Sequence, residues 1–383
     1  MTNPPRVEGA GAGAGNGAPA ADPRGWTLPP AVRLDDLGPL AEPISERNGQ
    51  AIAVRPLADH PGWLAKLYRP GRHAEDAARL DLLIAAPGTL PEADRAVLHA
   101  GTCWPAARIH APGNPAVGCV VPMAPEHYRA ELRRGGFGER RFVEIDWLAK
   151  PDASIRRIGL PPPGFDGRLA ACRRLAELAA VIADLGLVYS DWSFSNAFWS
   201  PDRHSVYLID VDGCQPAKMP DVHQPNWDDP LTPQGTDADT YTDRYRLGLL
   251  VAKCMTGLRD ADAFHAVAAS PWPNQSAVCE VLLDTLLATD RERRPSAAQL
   301  HQALDGGPYL RAMPRPPRAA LPLLPVTNPR PRTALVTDPE KTAPVAPPTA
   351  EKKQQAPTPS YDGWILALVV VAMIVIFILA ASH

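Results

Sequence analysis

"VYSDWSFSNAFW", Val188 to Trp199, sets Asp191 and, five positions later, Asn196 between apolar flanks. The residues leading in, "GLVYS" (186–190), read as a short strand entering Asp191. The residues leading out contain "SVYLI" (205–209), which alternates and then runs apolar, a second strand ending at Asp210. Two adjacent strands would bring Asp191, Asn196 and Asp210 to one end of a hairpin. Two carboxylates and a carboxamide form an all-oxygen set. Such a set suits Mg²⁺, which takes a few protein oxygens and completes its shell from phosphate and water. One carboxylate then orients a hydroxyl while the other oxygens hold the metal. The competing reading is a plain polar turn. Trp192, Phe194 and Phe198 fit packing that fixes the loop.

Outward from this stretch, the chain divides by composition. Residues 1–24 are rich in Gly, Ala and Pro and bury too little apolar surface to offset ordering entropy, so they are expected to be disordered. Residues 30–310 have globular texture. Apolar runs at 51–54, 62–68 and 116–123 give the first part a strand-rich character. Helical periodicity follows: 167–186 places Leu175, Leu178, Ile182 and Leu185 on one stripe, and 243–257 is apolar all round, as for a buried helix. Ser296 is the expected N-cap of a helix over 296–307. The expected class is α+β, with a small β-rich lobe at about 30–124 and a larger helical lobe at about 125–310. Residues 311–360 carry 13 of the 45 prolines and read as an extended linker. Residues 364–381 are 18 uncharged, mainly apolar positions, about 27 Å of helix, enough to cross a hydrocarbon core. With Tyr361 and Trp364 at the interface, 361–383 is expected to be a single-pass membrane segment, with the lipid bilayer as partner and the globular part facing the cytoplasm. Six scattered cysteines argue against zinc and disulfides, and a net charge of −3 argues against nucleic acid.

The spacing Asp191-x₄-Asn196, followed by a strand ending in Asp210, resembles the catalytic centre of the protein kinase superfamily. Four further stretches fall in the order that family shows. "GWLAKLYRP" resembles the lysine strand, with Lys66, and "VGCVVPM" resembles the hinge strand. "DRYRLGLLVAKCMTG" resembles the buried central helix, with Asp243 near its start, and "DRERRPSAAQL" resembles the late Arg-Pro-Ser segment, with Arg294. The resemblance spans about 45–305 and is nearest to a divergent bacterial subgroup that writes Lys-apolar-Tyr and Ile-Asp-x-Asp at two of these places. It implies a bilobal kinase-like fold and ATP with Mg²⁺ or Mn²⁺ as cofactors. It further implies transfer of the γ-phosphate to Ser or Thr of protein substrates that the sequence does not identify. It assigns Asp191 to the hydroxyl proton, Asn196 and Asp210 to metal, and Lys66 to the α- and β-phosphates. By the same resemblance, Val121 and Met123 serve adenine through the backbone and Gly49 covers the phosphates. Glu75 is chosen over Asp76 and Asp81 as the helix partner of Lys66.

Several positions depart from the pattern. The phosphate loop "PISERNGQAIAV" holds one glycine, Gly49. Tyr189-Ser190 replaces the usual His-Arg, which removes the usual partner of an activation-loop phosphate. Ser193 replaces the usual lysine. Asp212 stands where a glycine is usual and is expected to be a solvent-facing turn residue, the alternative being a second metal carboxylate. Leu231 stands at the usual glutamate, leaving Asp228 or Asp229 to pair with Arg294. Thr232, Thr236, Thr240 and Thr242 are candidate autophosphorylation sites. These departures keep two alternatives open: a kinase-fold module that binds nucleotide or partners without transfer, and a small-molecule phosphotransferase.

Overall fold

Strand β4 (Trp63–Tyr68) places successive side chains on opposite faces of a sheet. Trp63 and Ala65 pack with Trp26, Val32 and Ile109 on one face. Leu64 and Tyr68 join the main core on the other, so Lys66 points toward the helical part of the molecule. This is a computed structural model, and it describes residues 24–310 apart from 47–50, 71–72, 135–136, 220–225, 234, 261, 270–271 and 273–275. Gly49, the stretch 1–23, the linker 311–360 and the apolar stretch 364–381 lie outside the described residues. Among the described residues, no helix is long and apolar enough to cross a membrane.

The N-terminal region is a six-stranded sheet, β1 (Ala31–Arg33), β2 (Ser45–Glu46), β3 (Ala51–Pro56), β4, β5 (Ala107–Ala111) and β6 (Asn114–Pro122). Their order is β1-β5-β6-β4-β3-β2, antiparallel except where β1 lies beside β5. Helices α1 (His73–Ala85) and α2 (Glu92–Gly101) connect β4 to β5, and α1 packs on β5 and β6. Packing begins before residue 30. Trp26 is buried against Trp63 and His60, and Arg24 donates to the Trp104 carbonyl at 2.5 Å.

A hairpin of β7 (Arg129–Arg134) and β8 (Phe137–Phe142) opens the second region. Helices α3 (Asp152–Arg157) and α4 (Gly164–Asp184) follow. Leu175, Leu178 and Ile182 are buried as their spacing requires, while Leu185 is half-buried. Six short strands come next: β9 (Leu187–Val188), β10 (Ala197–Trp199), β11 (Val206–Leu208), β12 (Gln215–Pro216), β13 (Lys218–Met219) and β14 (Ala238–Asp239). Then come α5 (Thr240–Thr256), α6 (Asp262–Ala269), α7 (Ser276–Leu286) and α8 (Ala297–Leu304).

Helix α5 is buried nearly all round. Asp239 caps its start by accepting from the Tyr241 and Thr242 amides. At Gly248 a Cβ would come 2.6 Å from Thr285 Cγ2, so the missing side chain is what lets α7 approach. Ser296 and Gln299 form a reciprocal capping box at the start of α8. A β-sheet N-terminal region joined to a helical C-terminal region fits the kinase-like architecture that the sequence resembles.

Candidate active site

Three elements place the residues of the opening stretch. The expected pairing of the two flanking strands is not the one that forms. Strand β9, leading into Asp191, pairs with β12, whereas β11 pairs with β10. The β10–β11 hairpin therefore carries Asn196 just before one strand and Asp210 just after the other. The Ile209 amide donates to the Asn196 carbonyl at 2.9 Å and closes that end. Asp191 arrives from β9, and Asn196 reaches back to it, its Nδ2 donating to the Asp191 carbonyl at 3.0 Å.

The loop is held from below by α5. The buried Asp243 carboxylate accepts from the Tyr189 amide (2.9 Å), the Ser190 amide (2.5 Å) and Trp192 Nε1 (2.9 Å). Burial pushes the Asp243 carboxyl up to about 6, against the opposing pull of these donors. Arg246, one turn further along α5, donates to the Ser190 carbonyl at 2.9 Å and its hydroxyl at 2.7 Å. Ser190 adopts a left-handed backbone, φ 59°, and Asp210 does the same, φ 58°. Such a conformation costs about 1 kcal/mol outside glycine and persists where surrounding bonds hold it. Tyr189 donates its hydroxyl to the Ile209 carbonyl at 2.7 Å, which ties the loop to the β11 end. Trp192 stacks edge-on against Tyr189, and Phe194 edge-on against Trp227.

From the sheet side, Lys66 Nζ donates to Asp210 Oδ1 at 3.0 Å and to Asp212 Oδ1 at 2.7 Å. Asp212 is therefore not solvent-facing: its side chain is 5% exposed. Tyr68 donates its hydroxyl to the other Asp212 oxygen at 2.6 Å. Arg79 of α1 reaches the Asp212 backbone carbonyl. Burial disfavours the Lys66 ammonium, but Asp212 and Asp210 outweigh it and hold the lysine protonated well beyond its usual range. Burial also works against the Asp212 carboxylate. Lys66, Tyr68 and Arg79 overcome that and keep its pKa below the ordinary value. Asp210 goes the other way, raised first by burial, because one ammonium serves two carboxylates. An under-compensated, partly exposed carboxylate is a setting in which an added cation gains most.

Glu75 lies exposed on α1 and forms none of the ion pairs among the described residues; the carboxylate partners of Lys66 are Asp212 and Asp210. The other two helix candidates are engaged elsewhere, Asp76 with Arg79 and Asp81 with Arg108. The expected helix-to-lysine pair fails because α1 presents an arginine, not a carboxylate, to this end of the site. Val121 is buried in β6 opposite Leu64, and the Met123 amide donates to the Gly62 carbonyl at 2.8 Å. The Met123 N–H is thus committed to the sheet and not free for a ligand.

Of the two candidate partners for Arg294, Asp229 holds it bidentately at 2.6 Å and 2.6 Å, and both side chains are buried. Thr232 donates to Asp229, and Thr242 is fully buried in the first turn of α5, so neither hydroxyl is free in this state. Thr236 is exposed. Sequence reasoning assigned no role to Tyr68, Arg79 or Arg246. The Lys-apolar-Tyr spelling at 66–68 was the available signal for the first of them.

Among the described residues, no cluster of three His, Cys, Asp or Glu is placed to hold a metal. The oxygens on offer are those of Asp210 and Asn196. A two-ligand set fits Mg²⁺ when nucleotide phosphates and water complete the shell, and fits a cation held without phosphate poorly.

No family model matches the sequence, and no curated protein matches it. Among solved structures, this chain is similar to the ROP18 kinase domain in complex with AMP-PNP and sucrose. The identity is 15%, covering 70% of this chain and 78% of that chain, with a TM-score of 0.47.

Proposed function

We propose that this chain is an ATP-dependent phosphotransferase that moves the γ-phosphate of ATP to a Ser or Thr hydroxyl of cytoplasmic proteins. The observation that carries the proposal is the contact of Lys66 from the sheet with Asp210, at the strand end that the Ile209–Asn196 bond ties to the Asp191–Asn196 loop. In this reading Lys66 neutralises the α- and β-phosphates. Asp191 orients the acceptor hydroxyl and takes its proton as the oxygen attacks phosphorus and ADP leaves. Asn196 and Asp210 would hold Mg²⁺ or Mn²⁺, which would supply charge neutralisation for the phosphates. The Asp243 carboxylate and Arg246 hold the Asp191 loop through its backbone, and Tyr189-Ser190 offers no arginine before Asp191 to pair with a phosphate, which supports activity independent of phosphorylation. The apolar stretch 364–381 supports tethering to the cytoplasmic face of a membrane.

A binding module without transfer is favoured by one observation, the direct Lys66–Asp210 ion pair, which a metal must displace. One experiment separates these readings. Purified full-length chain is incubated with γ-labelled ATP, a divalent metal, a generic protein acceptor and a set of small alcohols. Metal-dependent label on protein supports the proposal. Nucleotide binding without transfer supports the module, and label confined to a small alcohol supports a small-molecule phosphotransferase.

A further inference from the structure

We propose that Asp212 and Tyr68 are the positioning residues of Lys66, standing in for a helix carboxylate, so that no carboxylate of α1 is needed to hold the lysine. Two spellings 144 residues apart in the chain, Lys66-Leu67-Tyr68 and Asp210-Val211-Asp212, meet in one contact. Tyr68 lies two positions beyond Lys66, so both side chains project from the same face of β4. The Tyr68 hydroxyl holds one Asp212 oxygen at 2.6 Å while Lys66 holds the other at 2.7 Å. Asp212 is thereby filled on both oxygens, with its carboxylate plane fixed. Its position is set in turn by the turn Val211–Gly213, whose Gly213 amide donates to the Asp210 carbonyl at 3.1 Å.

The geometry separates the two aspartates by job. Asp210 is the more exposed, with a side chain 38% accessible against 5% for Asp212, and is the one a metal can take over. Asp212 is enclosed by Tyr68, Lys66 and Arg79 and stays with the lysine when Asp210 turns away. Where a helix glutamate holds the lysine, swinging the helix outward breaks the pair. Here both partners of the clamp sit on β4 and on the strand exit that carries the metal carboxylate. The contact from α1 is Arg79 on the Asp212 backbone carbonyl, so α1 supports the clamp through the turn and not by a carboxylate on the ammonium.

The test uses the full-length chain with two readouts, of which the second alone rests on the nucleotide reading above. In the first, Lys66 is pulse-labelled with an amine-reactive ester and quantified by mass spectrometry without nucleotide. Lys66 in Asp212→Asn labels about tenfold faster than in the parent, and in Tyr68→Phe it is intermediate. Equal labelling rates in all three proteins overturn the inference. In the second, affinity for MgATP is measured by displacement of a fluorescent nucleotide in the parent, Asp212→Asn, Lys66→Met and the double variant. Asp212→Asn weakens binding about tenfold in the parent background and by less than twofold in the Lys66→Met background, because the aspartate acts through the lysine. The same loss in both backgrounds marks Asp212 as merely structural and overturns the inference. A parent that binds no MgATP contradicts the proposed function, while the labelling readout still decides the clamp.

Discussion

Removing Asp229 should unfold the helical part of the protein more readily than any surface change. Its carboxylate receives four donors: Arg294 Nη1 and Nη2 at 2.6 Å each, the Leu231 amide at 2.9 Å and the Thr232 hydroxyl at 2.7 Å. Its side chain is fully buried and that of Arg294 is 1% exposed. Asp229→Ala leaves a buried guanidinium with the Tyr241 carbonyl and the face of Tyr245 in place of a counter-charge. Breaking one side of such a pair costs about 3–5 kcal/mol, a large share of a typical folding free energy. With a urea slope of about 2–3 kcal/mol per molar, the midpoint should fall by about 1–2.5 M. Trp227, two residues away and buried, reports the transition by fluorescence. Replacing both partners, Asp229→Leu with Arg294→Met, should recover much of the loss, because the penalty lies in the orphaned charge and not in the absence of a bond. A shift below about 0.3 M for Asp229→Ala refutes the reasoning. So does a double variant as unstable as the single one.

Two further outcomes follow from the same contacts. Asp243 has its carboxyl raised to about 6 in the folded protein, so the stability it contributes is full below the ordinary carboxylate range and is lost as pH rises toward 6. Between pH 5 and pH 7 the parent should then lose about 1 kcal/mol more stability than Asp243→Asn loses. Asp212 and Asp229, both lowered, act in the opposite direction, but only below the ordinary carboxylate range. Parallel profiles of urea midpoint between pH 5 and 7 in the two proteins contradict this account of the buried carboxylate. At Gly118 an added Cβ would collide with the Lys66 backbone carbonyl across the β4–β6 ladder. Gly118→Ala should cost about 1–3 kcal/mol and raise the KM for ATP, because the strand carrying Lys66 must move. An unchanged thermal midpoint would refute it.

Local patterns were legible in the sequence where one element decides the outcome. The stripe on α4, the buried α5, the N-cap at Ser296 and the strand around Lys66 each follow from periodicity or a single cap. Pairings between distant elements were less so. Nothing in "GLVYS" says that it will pair with Gln215–Pro216 and not with the nearer strand at Val206–Leu208, because two-residue strands carry almost no register information. Asp212 was misplaced for a related reason. An Asp in a turn is ordinarily solvated, and its burial depends on Tyr68 and Lys66, 144 and 146 residues away in the chain. Asp229 and Asp228 are adjacent and chemically equal in the sequence; the fold alone gives Asp229 the bidentate contact with Arg294 and leaves Asp228 near Arg246.

The central claim is that Asp191 acts on the acceptor hydroxyl while Lys66, Asn196 and Asp210 hold the nucleotide and its metal. Single-turnover transfer of labelled γ-phosphate, measured together with MgATP affinity in the parent and in Asp191→Asn, tests this most directly. The account predicts a transfer rate at least about a hundredfold lower in Asp191→Asn, with nucleotide affinity changed by less than about threefold. Equal transfer rates in the two proteins, or a rate loss matched by an equal loss of nucleotide affinity, would contradict it.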